Sequence, residues 1–593
     1  MFKLLKRFTL KEIFFVLLDV LFIVVSSRAD LKVPDYTKEI ALMVQNLGIS
    51  ATIDQVWQVG GKMMICVLIS IATSICAGFC SAMVAGSFSK NLRRSLFTKV
   101  QSFGQQEINA FSTASLITRS TNDVTQITMV IAMGLHMFIK APTMITIALI
   151  NIAKKDVWQW TTATAGAGLA IIICLVIMLY VVLPRFKKMQ QLIDDVNRDM
   201  RENLLGLKVV RAYNAESYQE GKFEQSNSAL AHNQLVAIRT MAFLNPIMNI
   251  VQNGLTLAVY WLGAGIIASA GMLDKAGLVG DMVTFSNYAS HVVMSFIVLA
   301  FAFMGLPRAM ISAQRVNEVL DKKTSLKSGE IKCGKVVDGK EMKGVVEFKN
   351  VSFKYPDAED YVLENVSFVA NKGETVAFIG STGSGKSTLI NLVPRFFDAT
   401  EGQVLIDGVD AREYDTECLN DKLGYVPQRA VLFSGTIYQN LTYGMKPDAM
   451  PTESDLNIAI DVSQSREFIE SRPNKLDEHI AQGGANLSGG QKQRLSIARA
   501  VVRKPEIYIF DDSFSALDFK TDMLVRTALK QHAKGSTILM VAQRIGTIKD
   551  ADKIVVLQEG KMVGIGTHKE LLKSCQVYKE IALSQLAEEE LAL

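Results

Sequence analysis

The hydrophobic positions of the chain follow two patterns, with long apolar runs before about residue 310 and mixed apolar and polar positions after it. A helix needs about 20 consecutive apolar residues to cross the hydrocarbon core of a bilayer. Such runs lie at 13–30, 59–86, 127–152, 158–184, 241–269 and 283–306. The first run is the weakest, because its unbroken apolar part is short and contains Asp19. The pattern predicts six membrane-spanning helices followed by a soluble part.

Basic residues indicate on which side of the membrane the ends of the chain lie. Lys and Arg collect in the cytoplasmic connections of membrane proteins. Here they follow the second, fourth and sixth runs, at Lys90, Arg93, Arg94, Lys99, Arg185, Lys187, Lys188, Arg308 and Arg315. The Lys154–Lys155 pair, between the third and fourth runs, opposes this rule. We predict a multi-pass protein in the lipid bilayer of the cell (plasma) membrane, with both termini cytoplasmic.

The connections between the runs suggest how the chain is divided into domains. Polar stretches at about 90–126 and 185–240 are not rich in Gly or Pro, so the membrane helices are predicted to continue into the cytoplasm. A polar segment at 322–345, rich in Gly and Lys, is interpreted as a linker. The sequence VVEFKNVSFKY then alternates apolar and polar positions as a half-buried strand does. We predict a membrane domain at 1–321, the linker, and a soluble domain at 346–593.

Composition argues against several other classes of protein. Apolar residues make up 49% of the chain, which is high for a soluble protein. The net charge is only +5 and no long block of like charges appears, so nucleic-acid binding is not predicted. The seven cysteines show no CxxC spacing, which argues against a zinc site or a disulfide framework.

Residues 380–388 read GSTGSGKST and match the G-x-x-x-x-G-K-S pattern of a phosphate-binding loop. The loop follows an apolar strand, TVAFI, and precedes a helical run, LINLV, which is the context that this motif needs. Glycines let backbone N–H groups approach phosphate oxygens, and the helix presents its positive end. The predicted phosphate-binding residues are Gly380, Ser381, Thr382, Gly383, Ser384, Gly385, Lys386, Ser387 and Thr388. Lys386 is expected to reach the terminal phosphates, and Ser387 to hold Mg²⁺.

A second apolar strand, IYIFDD, ends in two acids, of which Asp511 is expected to hold Mg²⁺. Residues 486–491 read NLSGGQ and are followed by KQR. The spacing of the phosphate loop, NLSGGQ and the acidic strand resembles the nucleotide-binding domain of ATP-binding cassette (ABC) transporters. With the six preceding runs, the whole chain resembles a type IV half-transporter of the bacterial multidrug-exporter kind.

This resemblance implies a fold, ligands and further site residues. The fold would be an all-α six-helix transmembrane domain plus an α/β P-loop NTPase domain, and the ligands ATP and Mg²⁺. Tyr355 resembles the aromatic residue that stacks on adenine, and Gln428 the glutamine that contacts Mg²⁺ and the attacking water. The segments 111–124 and 212–223 resemble the two coupling helices. The signature that completes the ATP site of a partner subunit would be formed by Ser488, Gly489, Gly490 and Gln491.

Two residues depart from the pattern of this family. Asp512 stands where a glutamate normally polarises the attacking water, and its carboxylate falls back by roughly 1.5 Å because it is one methylene shorter. Gln543 stands where the family has a histidine, and an amide cannot carry positive charge or shuttle a proton. We therefore predict a degenerate site that binds ATP but hydrolyses it slowly. Since the signature is intact, we predict a heterodimer whose partner half-transporter carries the glutamate and the histidine.

Charged residues and flexible apolar residues of the membrane spans are the candidates for the transport path. Charged groups inside spans are functional candidates, which brings in Asp19, Arg28, Asp30 and His291. Met and Phe residues of spans five and six suit varied hydrophobic molecules, or simply face lipid. The predicted function is ATP-driven export of hydrophobic or amphipathic drugs. The alternatives are export of lipids or peptides, or an ATP-gated sensor or channel that transports nothing.

Overall fold

The computed structural model describes residues 2–45, 52–154, 158–269, 275–332, 334–337, 340–356 and 358–585. By internal contacts the chain forms two compact units. The first contains Met1–Gln101 and Thr113–Lys322, and the second contains Ser102–Ser112 and Lys323–Leu593. The short segment Ser102–Ser112 therefore belongs to the second unit, although the first unit surrounds it in sequence.

The first unit is built from helices. These are α1 (Phe2–Leu5), α2 (Leu10–Gln45), α3 (Ile53–Gln101), α5 (Thr113–Thr118), α6 (Val124–Ala153), α7 (Trp158–Leu205), α8 (Leu207–Ala212), α9 (Glu216–Ala242), α10 (Leu244–Ser269) and α11 (Lys275–Asp321), while α4 (Gln105–Phe111) belongs to the second unit. A turn of π-helix at Arg119–Asp123 joins α5 to α6. In the described residues, five helical segments are long and apolar enough to cross a membrane: Ile53–Gln101, Thr113–Ala153, Trp158–Leu205, Glu216–Ser269 and Gly277–Asp321.

The first predicted span forms as helix α2, but α2 is not one of these five segments. The reason is its charge, since Asp19 interrupts the apolar run, Glu12 precedes it, and Arg28 and Asp30 lie at its end. The fold shields two of these acids. Asp19 is fully buried and accepts a hydrogen bond from Ser81 of α3 at 3.0 Å, and Glu12 is also buried. Helix α2 is therefore apolar towards the outside and polar towards its neighbour α3.

Within the first unit, α2, α3, α6 and α11 pack into a four-helix bundle, and α7 packs mainly with α9 and α10. The apolar centre that α7 and α11 share contains the buried side chains of Trp160 and Phe285, whose rings lie 5.2 Å apart. The first predicted coupling segment, 111–124, is divided at Ser112, where φ is +59°. Ser112 is also the last residue of the segment Ser102–Ser112, which belongs to the second unit.

The second unit contains a ten-stranded mixed sheet with helices packed against it. Its strands are β3 (Val346–Phe353), β4 (Leu363–Ala370), β5 (Thr375–Gly380), β6 (Glu401–Ile406), β7 (Val409–Asp410), β8 (Leu423–Val426), β11 (Ile507–Asp511), β12 (Thr537–Val541), β13 (Lys553–Gln558) and β14 (Lys561–Gly566), in the spatial order β7-β6-β3-β4-β14-β13-β5-β12-β11-β8. Two separate antiparallel pairs are formed by β1 (Val336–Val337) with β2 (Lys340–Glu341), and by β9 (Gly435–Thr436) with β10 (His479–Ile480).

The helices of the second unit alternate with these strands. They are α12 (Lys386–Asn391), α13 (Thr416–Asp421), α14 (Ile437–Leu441), α15 (Glu453–Val462), α16 (Arg466–Glu470), α17 (Gly489–Val502), α18 (Phe519–His532), α19 (Ile545–Ile548), α20 (His568–Ser574) and α21 (Gln576–Leu583). Strands β13, β5, β12, β11 and β8 run parallel to one another. Because helices cover both faces, β11 and β12 are buried at every position, as the continuous apolar runs predict.

The predicted linker is ordered where the structure describes it. Ile331 donates its N–H to the carbonyl of Glu413 at 3.0 Å, so the segment adds to the edge of the second unit. The buried carboxylate of Glu107, in α4, accepts hydrogen bonds from the N–H groups of Gly104 at 2.9 Å and Ser325 at 3.0 Å. One side chain thus ties the segment after α3 to the segment after α11.

Candidate functional site

The predicted nucleotide site lies where four parallel strands end. The phosphate loop follows β5, Gln428 follows β8, Asp511 ends β11 and Gln543 follows β12. These strands are neighbours in the order β5, β12, β11, β8. The carboxyl ends of parallel strands share one edge of a sheet, which is where α/β folds bind ligands. The topology therefore brings together residues that are far apart in sequence.

The phosphate loop turns tightly between β5 and α12. Gly385 has φ of +91°, and a Cβ atom there would lie 2.7 Å from Leu363 Cδ2 and 2.8 Å from the Val362 carbonyl oxygen. Only glycine fits such a position. A Cβ at Gly380 would lie 2.1 Å from the carbonyl oxygen of Leu557. At the tip, Ser381, Thr382 and Gly383 are exposed, so their backbone is open to a ligand.

Lys386 is buried beneath this loop. Its ammonium group donates to the carbonyl oxygens of Gly380 at 2.9 Å and Ser381 at 2.7 Å, and to Ser384 Oγ at 3.3 Å. Burial lowers the pKa of Lys386, while the negative charges of Asp512 and Asp511 oppose this effect. The loop thus holds a buried cation whose hydrogen bonds go to neutral oxygens, which suits the terminal phosphates of a nucleotide.

Ser387 and Asp511, the two residues that the sequence assigns to Mg²⁺, are in contact. Ser387 Oγ donates to Asp511 Oδ1 at 2.7 Å. Burial raises the pKa of Asp511, and the nearby charge of Asp512 raises it further. Both groups offer the hard oxygen ligands that Mg²⁺ prefers, and the ion normally takes its other ligands from water and phosphates. The described residues contain no cluster of three His, Cys, Asp or Glu side chains that would suggest a different metal site.

Asp512 forms a closed hydrogen-bond network with two amides. Its Oδ2 atom accepts from Gln543 Nε2 at 2.7 Å and from Gln428 Nε2 at 3.1 Å. The residue lies in the left-handed region with φ of +48°, and its N–H donates to the carbonyl of Val541. The side chain is buried. All three residues that the sequence associates with hydrolysis are therefore in direct contact, and both donors to Asp512 are neutral.

Tyr355 is joined to the phosphate loop through Thr388. The Tyr355 hydroxyl and Thr388 Oγ1 are 3.0 Å apart, and either group can donate. The ring packs edge-on against Phe353 at 5.0 Å and Phe397 at 5.4 Å. These contacts fix the ring beside the phosphate loop, which is compatible with stacking on adenine.

The signature residues form the start of α17. Ser488 caps this helix, because its Oγ accepts the N–H of Gln491 at 3.3 Å while Gln491 Oε1 accepts the N–H of Ser488 at 3.0 Å. A Cβ at Gly489 would meet no atom within 4 Å, and one at Gly490 would come no closer than 3.5 Å to the Ala516 carbonyl. Ser488 and Gly489 are exposed while Gly490 and Gln491 are half-buried, and in the described residues no hydrogen bond joins the segment to the network around Asp512. It is thus available to a second subunit.

Sequence reasoning missed two residues that hold this site together. Ser513 is fully buried and donates to the carbonyl of Val426 at 2.9 Å, which ties the end of β11 to the end of β8. Asn486 bridges the carbonyl of His479 and the N–H of Ala481, which shapes the loop before the signature. A serine after two acids is too common to be noticed from sequence, whereas Asn486 is the first residue of the NLSGGQ motif and could have been singled out there.

The fold and this site define a membrane-bound ATPase with a phosphate-binding loop. Family models agree, since "ABC transporter transmembrane region" matches residues 34–296 and "ABC transporter" matches residues 363–515. The chain is 38% identical to an uncharacterized ABC transporter ATP-binding protein of Mycobacterium tuberculosis strain CDC 1551 / Oshkosh, over 95% of this chain and 94% of that protein. The chain belongs to the ABC transporter family.

Further similarities agree with export. A Bacillus subtilis strain 168 protein, assigned by name only to multidrug export, is 32% identical over 83% of this chain and 82% of its own length. An ATP-dependent lipid A-core flippase of Pseudomonas savastanoi pv. phaseolicola is 31% identical over 83% of this chain and 79% of its own length. The structure of a bacterial Atm1-family ABC exporter with ATP bound has the same fold, with a TM-score of 0.80, 24% identity, and coverage of 97% of this chain and 99% of that chain. The chain is an ATP-driven ABC exporter ATPase that carries both transmembrane and ATP-binding parts.

Proposed function

We propose that this chain is the degenerate-site subunit of a heterodimeric exporter. The observation that carries the proposal is the Asp512 carboxylate, which is one methylene shorter than the family's glutamate and is occupied by the amides of Gln428 and Gln543. No residue of this network supplies the basic side chain that the family places at position 543. ATP bound at this site would therefore remain uncleaved for longer than ATP bound at a competent site.

Nucleotide binding would be retained, because the chain carries the residues that its resemblance to the family assigns to it. Lys386 would bind the terminal phosphates, and the loop from Gly380 to Thr388 would offer its N–H groups to phosphate oxygens. Mg²⁺, held by Ser387, Asp511 and Gln428, would offset the negative charge of the phosphates. Tyr355 would stack on adenine. This part of the proposal depends on the contacts of Lys386 and Ser387.

Hydrolysis would be weak for a geometric reason. Catalytic geometry is sensitive to displacement, and a misplacement of about 1 Å can cost about a hundredfold in rate. The methylene that Asp512 lacks displaces its carboxylate by roughly 1.5 Å. Gln543 cannot compensate, because a neutral amide cannot take up or deliver a proton.

The intact signature supports a partner of a different sequence. Ser488 and Gly489 are exposed at the start of α17, and with the half-buried Gly490 and Gln491 they would complete an ATP site on a second half-transporter. Two copies of this chain would form two weak sites and no competent one. A partner with glutamate and histidine at the equivalent positions would hydrolyse ATP against this signature. Closure of the two nucleotide-binding domains around ATP would then drive the membrane helices, because ATP binds the closed form more tightly.

The transported molecule would be hydrophobic or amphipathic. In the first unit, α7, α9 and α10 line an apolar groove of about 650 Å³, which includes Ile173, Ile177, Phe243 and Ile247 and carries Arg239 on its wall. A groove of this size and chemistry suits a drug-sized apolar molecule. Lipid is the second candidate, favoured by the similarity to a lipid A-core flippase. We place the chain in the cell membrane with both termini in the cytoplasm.

The proposal is tested by comparing the chain alone with the chain in the presence of its partner. The full chain in lipid nanodiscs should bind ATP but release phosphate slowly, whereas the pair should turn over ATP and move substrate in vesicles. Gly489→Asp in this chain should abolish turnover of the pair, while ATP binding by this chain should persist. Brisk hydrolysis by the pure chain would contradict the proposal.

A further inference from the structure

Polar side chains from all four helices of the bundle in the first unit meet inside the predicted membrane region. Asp30 lies on α2, Ser70 on α3, Lys140 on α6 and His291 on α11. In the sequence, Asp30 ends the first apolar run and His291 lies near the start of the sixth. The cluster therefore lies in the half of the membrane domain that is remote from the N-terminus.

Asp30, the acidic residue of this cluster, already accepts a hydrogen bond. Ser70 donates a short hydrogen bond to Asp30, and Ser26 lies 2.8 Å from Ser74 and 3.3 Å from Ser70. These contacts hold Asp30 against the α2–α3 interface. One oxygen of the Asp30 carboxylate, Oδ1, is thus held by the Ser70 hydroxyl, whereas Oδ2 is the oxygen nearest to Lys140.

Lys140, in contrast, forms only a long ion pair with Asp30. Its ammonium nitrogen lies 3.9 Å from Asp30 Oδ2, beyond hydrogen-bond distance, and no described residue accepts a hydrogen bond from it. The side chain is 30% exposed, so a ligand can reach it. A charge inside a membrane domain is costly, and such residues usually mark the path of a substrate or ion.

Two histidines add further hydrogen-bonding groups to the same place. His136 lies one helical turn before Lys140 on α6, and residues four apart face the same side of a helix. Its Nδ1 atom is buried and has no partner in the described residues. His291, on the opposite helix α11, has Asp30 and Lys140 as its charged neighbours.

We propose that Lys140, His136 and His291 form an anion-binding subsite for an acidic group, a carboxylate or phosphate, on the exported amphipathic molecule. The three side chains bring an ammonium and two imidazoles together beside one carboxylate, Asp30, whose Oδ1 atom already accepts a hydrogen bond from Ser70. An ammonium group and ring N–H groups are the donors that carboxylate and phosphate oxygens accept. The inference rests on the proposed export function, and it narrows the substrate class from amphipathic molecules in general to anionic ones.

Binding without ATP tests this subsite separately from hydrolysis and from subunit pairing. The probe is dansyl-undecanoic acid, with its methyl ester as the neutral match, titrated by fluorescence onto the full chain in phosphatidylcholine nanodiscs. Lys140→Gln and His291→Gln should each weaken binding of the acid by about tenfold or more, since a charge-assisted hydrogen bond is lost. Binding of the ester should not change. Lys32→Gln, which removes an exposed lysine from α2, is the control and should have no effect.

Asp30→Asn separates a ligand site from a structural ion pair. If Lys140 awaits an anion, removal of the competing carboxylate should tighten binding of the acid. If the Asp30–Lys140 ion pair only stabilises the fold, Asp30→Asn and Lys140→Gln should have the same effect. Each should then weaken binding of the acid, or lower the melting temperature, by a similar amount. Dodecyl phosphate should displace the acid from the wild type. Phosphatidylglycerol in the nanodiscs should displace it only if a lipid headgroup is the natural occupant.

Two results would overturn the inference. One is that the wild type binds neither dansyl-undecanoic acid nor dodecyl phosphate better than the neutral ester. The other is that Lys140→Gln leaves affinity for the acid unchanged while the variant remains folded. Neither result would affect the proposed degenerate site, because no ATP is present in the measurement.

Discussion

Lengthening the side chain of Asp512 by one methylene should increase hydrolysis at this chain's own ATP site. In the structure, the Asp512 carboxylate reaches only as far as Gln543 Nε2 at 2.7 Å and Gln428 Nε2 at 3.1 Å. In Asp512→Glu the carboxylate would reach roughly 1.5 Å further from the backbone than that of Asp512 does. A correction of that size is worth about a hundredfold in rate when geometry is limiting. We expect phosphate release to rise by about that factor.

The assay is phosphate release by the full chain in nanodiscs at saturating ATP. Gln543→His alone should give a much smaller gain, because the carboxylate stays short. The double variant should exceed both single variants, since a correctly placed general base becomes able to act with a group that carries a proton. Lys386→Ala in the same background should remove the activity and thereby show that this chain's own site is measured.

The reasoning would be refuted if Asp512→Glu bound ATP normally and hydrolysed it no faster than the wild type. In that case the reach of the carboxylate would not limit hydrolysis. Asp512→Asn gives the complementary comparison, because it keeps the length of the side chain and removes its charge. If Asp512→Asn lost most of a brisk wild-type activity, Asp512 would be an adequate base and the site would not be degenerate.

Three further predictions follow from other contacts. Ser488→Ala removes the cap of α17 and should cost about 1 kcal/mol of stability in thermal unfolding, while ATP binding by this chain persists and turnover by the pair falls. Glu107→Ala leaves the N–H groups of Gly104 and Ser325 without their acceptor and should cost about 2 kcal/mol or more, whereas Glu107→Gln, which keeps one carbonyl oxygen, should cost less; equal melting temperatures would contradict this. The N–H of Cys418, at the start of α13, lowers the pKa of Asp415 below its ordinary value of 3.8, so Asp415 stabilises the fold at neutral pH and this contribution is lost as the pH falls through the lowered value. Asp415→Asn should therefore melt lower than the wild type at pH 7, and the difference should close below about pH 3.8; a gap that does not depend on pH would contradict this.

Much of the architecture follows from local sequence. The apolar runs after the first predict the five membrane-length segments, because each run is long enough to span a bilayer by itself. The phosphate loop is equally local, since Gly385 needs a positive φ and the strand and helix adjoin it directly. The first run is the exception, because Asp19 interrupts it and becomes acceptable only when α3 covers the acid and supplies Ser81. Its status depends on a neighbour that the run itself does not contain.

The sequence by itself determined the order of the elements, the phosphate loop, the signature and the departures at Asp512 and Gln543, because each depends on residue type and close spacing. Only the tertiary structure decided that Gln428 and Gln543 donate to the same oxygen of Asp512, since three parallel strands must end side by side. It also decided that Lys140 faces Asp30 without a hydrogen bond. Helices that are distant in sequence bring those two charges together, and no local pattern encodes the distance between them.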